Sequence, residues 1–136
     1  MTDLERQVRE RYLERLDNRS WYPSAPSQDF GLNALPYFTA AFDQESIPSR
    51  RRRLVNVIWE FRDAAALPVL AKAIRDPNEA VWKESLDGFV TIGGDSATRM
   101  LLDARAAVEK FSDAANRIEW IDEAIAQIAA GPFSPA

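Results

Sequence analysis

The sequence predicts an all-α fold: an α–α superhelix of about three stacked helix pairs, preceded by a capping helix. Three observations predict it. Apolar residues recur at spacings of three and four through most of the chain, as they do on one face of a helix. Helix-capping residues stand between these segments. From residue 32 onward the apolar pattern repeats every 32 residues, which is typical of stacked helical arrays.

The N-terminal segment predicts the capping helix, over roughly residues 3–18. Thr2 and Glu5 have the spacing of a capping box, in which each side chain bonds a free backbone N–H of the first turn. Apolar residues then follow at intervals of four, which places them on one face of a helix: Leu4, Val8, Tyr12 and Leu16.

Residues 19–31 predict a loop or an extended crossing. This stretch, RSWYPSAPSQDFG, holds two prolines, three serines and a glycine, all of which interrupt helices. We expect Trp21 and Tyr22 to pack onto the domain, since large aromatic side chains favour burial. If they are exposed instead, they are contact residues.

The remaining chain predicts a gapless repeat. A shift of 32 residues places Leu35 on Leu67, and it places Leu54 on Leu86 and then on Ile118. Residues near the predicted helix starts are good N-caps or first-turn residues: Asp63, Asp76, Pro77, Asp95 and Ser112. The predicted helices are 32–43, 48–61, 64–75, 77–92, 96–110 and 113–130. We therefore divide one domain, 1–136, into a cap and loop (1–31), three repeats (32–63, 64–95 and 96–130) and a tail (131–136).

Residues 65–97, AALPVLAKAIRDPNEAVWKESLDGFVTIGGDSA, resemble a HEAT repeat. They contain an Ala-Leu-Pro helix, an Asp-Pro turn, a helix with a valine near its start, and then Ile-Gly and an Asp. In residues 34–65 Gln44-Glu45 replaces the Asp-Pro turn, and in 97–130 the turn is KFSDAAN, so those repeats depend on the apolar register. HEAT-like proteins are mostly binding scaffolds whose second helices line a concave face. The resemblance implies a binding surface and no chemistry.

Trp82 is the main candidate for that surface. In the predicted helix 77–92 the buried stripe comprises Val81, Ser85, Gly88, Phe89 and Ile92. Trp82, Lys83 and Asp87 fall on the adjoining face, where HEAT repeats usually carry an outward polar or basic residue. Exposed tryptophans are enriched among interface hot spots, so we expect a contact role. The alternative is that Trp82 packs against the N-terminal arm or a neighbouring helix.

Two more tryptophans and several acids complete the candidate surface. Trp59 occupies the corresponding helix of the preceding repeat, although the apolar segment VNVIWEF favours its burial. Trp120, between Ile118 and Ile121, is expected to be partly exposed. Residues 1–75 have a net charge of +2 and residues 76–136 of −6. Glu119, Asp122 and Glu123, with Asp87 one repeat before, either attract a basic partner or serve solubility.

The run SRRRR, residues 49–53, is the one candidate for phosphate or nucleic-acid binding. Consecutive residues of a helix point in different directions, so at most two of these arginines share a face. The whole chain has a net charge of −4, against the basic footprint of a nucleic-acid binder. A solvated helix start that pairs with nearby acids is the favoured interpretation.

Composition excludes several other classes. A chain of 136 residues without cysteine or histidine has no disulfide framework, thiolate metal site or imidazole base. Asp122 and Glu123 are adjacent and diverge by about 100° on a helix, so they do not form a catalytic pair. We expect neither an enzyme nor a cofactor. The N-terminus lacks an apolar signal segment and the chain has no apolar run of about 18 residues, so we expect a cytoplasmic protein without a membrane partner.

Three functions from different classes remain. The favoured one is a protein-binding module. Short cytosolic HEAT-like proteins resemble the immunity proteins of bacterial polymorphic toxin systems, so this module would inhibit a basic toxin domain. The alternatives are a scaffold or accessory protein similar to the HEAT-like phycobilin lyases, for which the chain looks too short, and a HEAT-like nucleic-acid-binding domain, which the charge disfavours. The expected partner-binding residues are Trp82, Lys83, Asp87, Glu119, Glu123 and Trp59.

Overall fold

A computed structural model of the chain describes residues 2–17 and 26–131. Within these two ranges the backbone forms α-helices and short 3₁₀ turns and no strand, so the all-α prediction is confirmed. The helices are α1 (Asp3–Arg11), α2 (Pro26–Phe30), α3 (Leu35–Gln44), α4 (Pro48–Trp59), α5 (Leu67–Ile74), α6 (Glu79–Ile92), α7 (Gly94–Ala107) and α8 (Ala114–Ala129). The 3₁₀ turns are Leu13–Arg15, Leu32–Ala34 and Ala64–Ala66.

Helices α3 to α8 pack as consecutive pairs. α3 lies against α4, α5 against α6, and α7 against α8. The second members of the pairs also pack side by side in the order α4, α6, α8, and we call them the second-helix layer. On the other side α5 contacts α7. Helix α6 is therefore the central element, because it contacts α4, α5, α7 and α8.

The 32-residue register recurs in the geometry of the first two pairs. A 3₁₀ turn precedes both α3 and α5, and each of these helices has a proline in its first turn. The joining residues have nearly equal dihedral angles, φ −83° and ψ −17° at Ala34 and φ −79° and ψ −20° at Ala66. Leu54 and Leu86 are both buried, but Ile118 is only half-buried. Ile118 in the third pair is less buried than its counterparts because no described helix packs on the far side of α8.

One apolar core runs through all three pairs, and α1 closes its N-terminal end. Val8 and Tyr12 are buried, and the Tyr12 ring meets Phe30 and Phe38 edge-on, at 5.7 and 6.0 Å between ring centroids. The Tyr12 hydroxyl donates to Asp29, so the polar end of this buried ring is satisfied. Tyr12 thereby ties α1 to both α2 and α3.

The N-terminal region differs from the sequence-based prediction in its bounds. The Thr2 hydroxyl accepts a hydrogen bond from the Glu5 backbone N–H at 3.1 Å, as the capping box predicts. The helix ends at Arg11 rather than near residue 18, and a 3₁₀ turn follows it. Helix α2 lies inside the predicted loop. Trp21 and Tyr22 lie outside the described residues.

The start of α6 also differs from the prediction. Asp76 is not its N-cap: this buried carboxylate accepts from the Asn78 N–H at 3.0 Å and pairs with Arg51 at 2.6 Å. Asn78 caps the helix instead, so Pro77 stands before its first turn. Asp63 does cap the turn before α5, as predicted. Asp76 does not cap α6 because the Arg51 guanidinium holds its side chain against α4.

Two arginines fix the turns that join the helices of a pair. Arg51 Nη1 donates to the carbonyls of Phe42 and Glu45, at 3.0 and 2.6 Å, beyond the end of α3. Arg117 on α8 donates through Nη1 to the carbonyls of Ile74 and Asp76, at 2.6 and 2.9 Å. Phe42 and Ile74 lie in the last turn of their helices, where backbone carbonyls lack a full set of intrahelical partners, and Glu45 and Asp76 follow the helix ends. Arg117 is only 2% exposed, and it anchors α8 to the α5–α6 turn.

Candidate partner-binding surface

Trp82 is fully buried, so its predicted contact role is wrong. The flank of α6 that carries Trp82 faces α8, not solvent, because α6 and α8 are neighbours in the second-helix layer. The Trp120 ring packs on the Trp82 ring edge-on, at 6.4 Å between centroids and 76° between planes. Arg117 Cζ lies 5.0 Å from the Trp82 centroid. The alternative of packing against a neighbouring helix is the correct one.

Trp120 holds the exposed position that was expected of Trp82. Its side chain is 40% exposed, which confirms the expectation of partial exposure. Lys83 Nζ stands 4.2 Å from the centroid of its ring. Below it the contacts continue from Trp82 to Arg117 and from Arg117 to Phe111, whose centroid is 4.8 Å from Arg117 Cζ. We call this series, Phe111, Arg117, Trp82, Trp120 and Lys83, the aromatic–cation row.

The other predicted contact residues of α6 and α8 lie near this row or on the same layer. Lys83 is half-buried and pairs with Glu79 at 2.5 Å. Asp87 is exposed on α6. Glu119 and Glu123 are exposed on α8 and four residues apart, which places them on one helix face. Asp122 does not join them, because Arg105 of α7 holds it at 2.8 Å.

Trp59 is half-buried between α4 and α6. Its indole Nε1 donates to Glu84 Oε2 at 2.8 Å, and its Cβ faces Gly88. Glu84 is buried and also accepts from Asn56 Nδ2 at 3.3 Å, while Arg52 Nε lies 3.3 Å from its other oxygen. This carboxylate therefore has three donors and is satisfied. Trp59 serves mainly to join two helices of the second-helix layer.

Two further carboxylates flank Glu84 on the surface of the layer. Although the Asp87 side chain is exposed, neighbouring protein atoms remove part of the hydration of its carboxylate and raise its pKa above the ordinary value. The charge of Glu84 raises this pKa further, while Arg52 lowers it. Partial burial likewise raises the pKa of Glu60, with Arg53 lowering it and Glu84 raising it. Reduced hydration is therefore the main cause of both shifts, and the nearby arginines oppose it.

The SRRRR run does not form one basic face. Arg50 pairs with Asp17 at 2.7 Å, Arg51 with Asp76, and Arg52 with Glu84. The three acids belong to three different parts of the chain. The expectation of a helix start that pairs with nearby acids is confirmed for these arginines, although Arg51 is more buried than a solvated helix start implies.

Sequence reasoning missed two residues that build this surface. Glu84 is three residues after Val81 and therefore lies on the buried side of α6, a signal that could have marked it as a satisfied core acid. Arg117 gave no such signal, because the carbonyls that it binds are more than 40 residues away in sequence.

Within residues 2–17 and 26–131, no helix has the length and apolar character needed to cross a bilayer. Comparisons of the chain with protein-family models, with curated proteins and with solved structures gave no match.

Proposed function

We propose that this chain is a non-catalytic protein-binding module, a HEAT-like helical array that acts as an immunity or antitoxin-type inhibitor. It would bind its partner through the second-helix layer. The observation that carries the proposal is the exposed Trp120 indole, which the layer presents beside Lys83 on the helix that also exposes Glu119 and Glu123. Paired α-helices with a 32-residue register support the HEAT-like assignment.

Trp120 suits the centre of an interface for an entropic reason. A large ring already held by its neighbours loses little conformational freedom when a partner covers it. Trp120 packs edge-on against the buried Trp82, and Trp82 in turn contacts Arg117, whose guanidinium is fixed by two backbone carbonyls. The exposed part of the indole is therefore pre-organised.

The charge around Trp120 favours a basic partner. Glu119 and Glu123 are exposed, and neither has an ion-pair partner among residues 2–17 and 26–131. Residues 76–136 as a whole carry a net charge of −6. Complementary charge raises association rates and disfavours wrong partners. A basic toxin domain is a partner of this kind.

The product of the neighbouring gene is the partner to test first. Capture by the wild-type chain, followed by calorimetry, measures the affinity. We expect Trp120→Ala to weaken binding by about 2 kcal/mol, roughly thirtyfold, with little change in melting temperature. Leu102→Ala is the matched control, because Leu102 is 51% exposed on α7, outside the second-helix layer. Equal binding by both variants would reject this surface.

Two further measurements test how the chain binds its partner and whether binding inhibits that partner. Charge reversal at Glu123 should mainly slow association, and salt should mask the effect. Co-expression of the wild-type chain should restore growth to cells that express the neighbouring gene product, and co-expression of Trp120→Ala should restore it less. A partner that binds tightly but is harmless to cells would exclude the inhibitor assignment and leave the binding module.

A further inference from the structure

We infer that the exposed Trp120 ring is a cation site for an arginine side chain of the partner, and that Lys83 occupies this site in the free protein. The inference rests on the proposed function in one respect, that the arginine belongs to a partner protein. It goes beyond that function by naming the chemical group that is recognised. It also states that Lys83 competes with this group for the Trp120 ring.

Lys83 already shows the geometry of a bound cation. Its ammonium lies 4.2 Å from the Trp120 centroid, inside the roughly 6 Å over which an aromatic face attracts a cation. It also lies 5.7 Å from the Trp82 centroid and pairs with Glu79 at 2.5 Å. The side chains of Lys83 and Glu79 are 34% and 58% exposed. Exposed ion pairs contribute little, so a better cation can displace Lys83 while Glu79 keeps it nearby.

The Trp120 ring stays in position when the Lys83 ammonium moves away from it. Its edge-on contact with Trp82 holds it from below, and Trp82 is fully buried. Arg117, a second cation, lies 5.0 Å from the Trp82 centroid and is fixed by the carbonyls of Ile74 and Asp76. The face on which Lys83 sits therefore stays in place for another cation.

The surroundings favour a guanidinium over an ammonium. Glu119 directly precedes Trp120 and Glu123 follows it by three residues, and both are exposed. A planar guanidinium can stack on an indole while its N–H groups donate to a nearby carboxylate. A lysine ammonium is a compact, strongly hydrated charge and makes less of this combination.

A short peptide tests the site directly. The probe is acetyl-Gly-Arg-Gly-Arg-Gly-amide, and its counterpart carries citrulline, a neutral isostere, in place of both arginines. The signal is the indole Nε1–H cross-peak of Trp120 in a nitrogen–proton NMR spectrum, assigned with Trp120→Phe. We expect a saturable shift with the arginine peptide and none with the citrulline peptide. Glu123→Gln should weaken the arginine complex.

Lys83→Met supplies the decisive comparison. Removal of the resident cation should tighten the arginine complex at least about threefold, the scale of an exposed cation–π contact. Lys72→Met is the matched control. It removes the same charge from α5, where Lys72 pairs with Asp43, and should change the affinity less than Lys83→Met does.

Three results would overturn the inference: no saturable shift of Trp120, equal binding of the citrulline peptide, or no tighter binding by Lys83→Met than by Lys72→Met. The failure of this inference is distinct from that of the proposed function. If Trp120→Ala abolishes binding of the partner but arginine peptides fail, the surface stands and the cation site does not. If the peptides bind but the partner is indifferent to Trp120→Ala, the proposed function fails.

Discussion

At the scale of single residues, two neighbouring tryptophans have opposite roles. Trp82 and Trp120 pack edge to face, but Trp82 is fully buried and Trp120 is 40% exposed. The buried ring supports the exposed one, so a substitution at each position should affect a different property: stability at Trp82 and recognition at Trp120.

Trp82→Ala should lower the free energy of unfolding by about 3–5 kcal/mol, the cost of a large cavity. Trp82→Phe should cost less, because Trp82 Nε1 has no hydrogen-bond acceptor among the described residues and a buried unsatisfied donor is itself unfavourable. Urea unfolding followed by circular dichroism measures both changes. Trp120→Ala, the exposed counterpart, should lose less than either. A loss under half a kcal/mol (about the size of a typical surface substitution) for Trp82→Ala would place Trp82 outside the core.

At the scale of elements, the contact between α4 and α6 depends on a glycine inside a helix. A Cβ on Gly88 would lie 2.7 Å from Trp59 Cβ and 2.8 Å from Leu70 Cδ1. Alanine is more favourable than glycine inside a helix by about 1 kcal/mol, whereas overpacking of a core costs about 1–3 kcal/mol. Leu70 Cδ1 can move by rotation, but Trp59 Cβ is tied to the backbone of α4.

Gly88→Ala should therefore destabilise the protein despite its better helix propensity. We expect a net loss of about 1–2 kcal/mol in urea unfolding, since the clash with Trp59 exceeds the gain in propensity. An increase in stability would mean that α4 can shift away from α6 at no cost, and the packing of the second-helix layer would then be looser than described.

Asp87, also on α6, should make the stability of the protein depend on pH. Incomplete hydration of its carboxylate and the charge of Glu84 raise the pKa of Asp87 in the folded protein. Because the folded pKa is raised, ionisation of Asp87 lowers the free energy of unfolding. This destabilisation is absent below the ordinary pKa of 3.8 and grows as the pH rises through the folded pKa. Asp87→Asn should then stabilise the protein at pH 7 relative to wild type, and this advantage should shrink towards pH 3. A constant difference, or a destabilisation at pH 7, would contradict the assignment.

At the scale of the whole molecule, charge should prevent nucleic-acid binding. The net charge is −4, and Arg50, Arg51 and Arg52 pair with acids of the chain. We expect no binding of labelled duplex DNA or RNA tighter than about 1 μM at physiological salt, measured by fluorescence anisotropy, since a phosphate backbone needs several unpaired cations. Tighter binding with a steep salt dependence would restore the arginine run as a phosphate site.

The sequence by itself determined the class of fold and most of the helix bounds. The predicted helices 48–61 and 113–130 correspond to α4 (Pro48–Trp59) and α8 (Ala114–Ala129). These bounds are predictable because helical periodicity and capping act within a few residues of one another. The N-terminal helix was the main exception among the described residues, since it ends at Arg11 although its apolar spacing continues to Leu16.

Only the tertiary structure decided which tryptophan is exposed. Val81 and Trp82 are adjacent in α6, and the apolar stripe of that helix faces the core whichever helices flank it. The flank beside the stripe is buried or exposed according to the element that packs there, and for α6 that element is α8, which begins more than 20 residues after α6 ends. Burial of a helix flank is a property of two helices together. The sequence of either helix alone does not contain it.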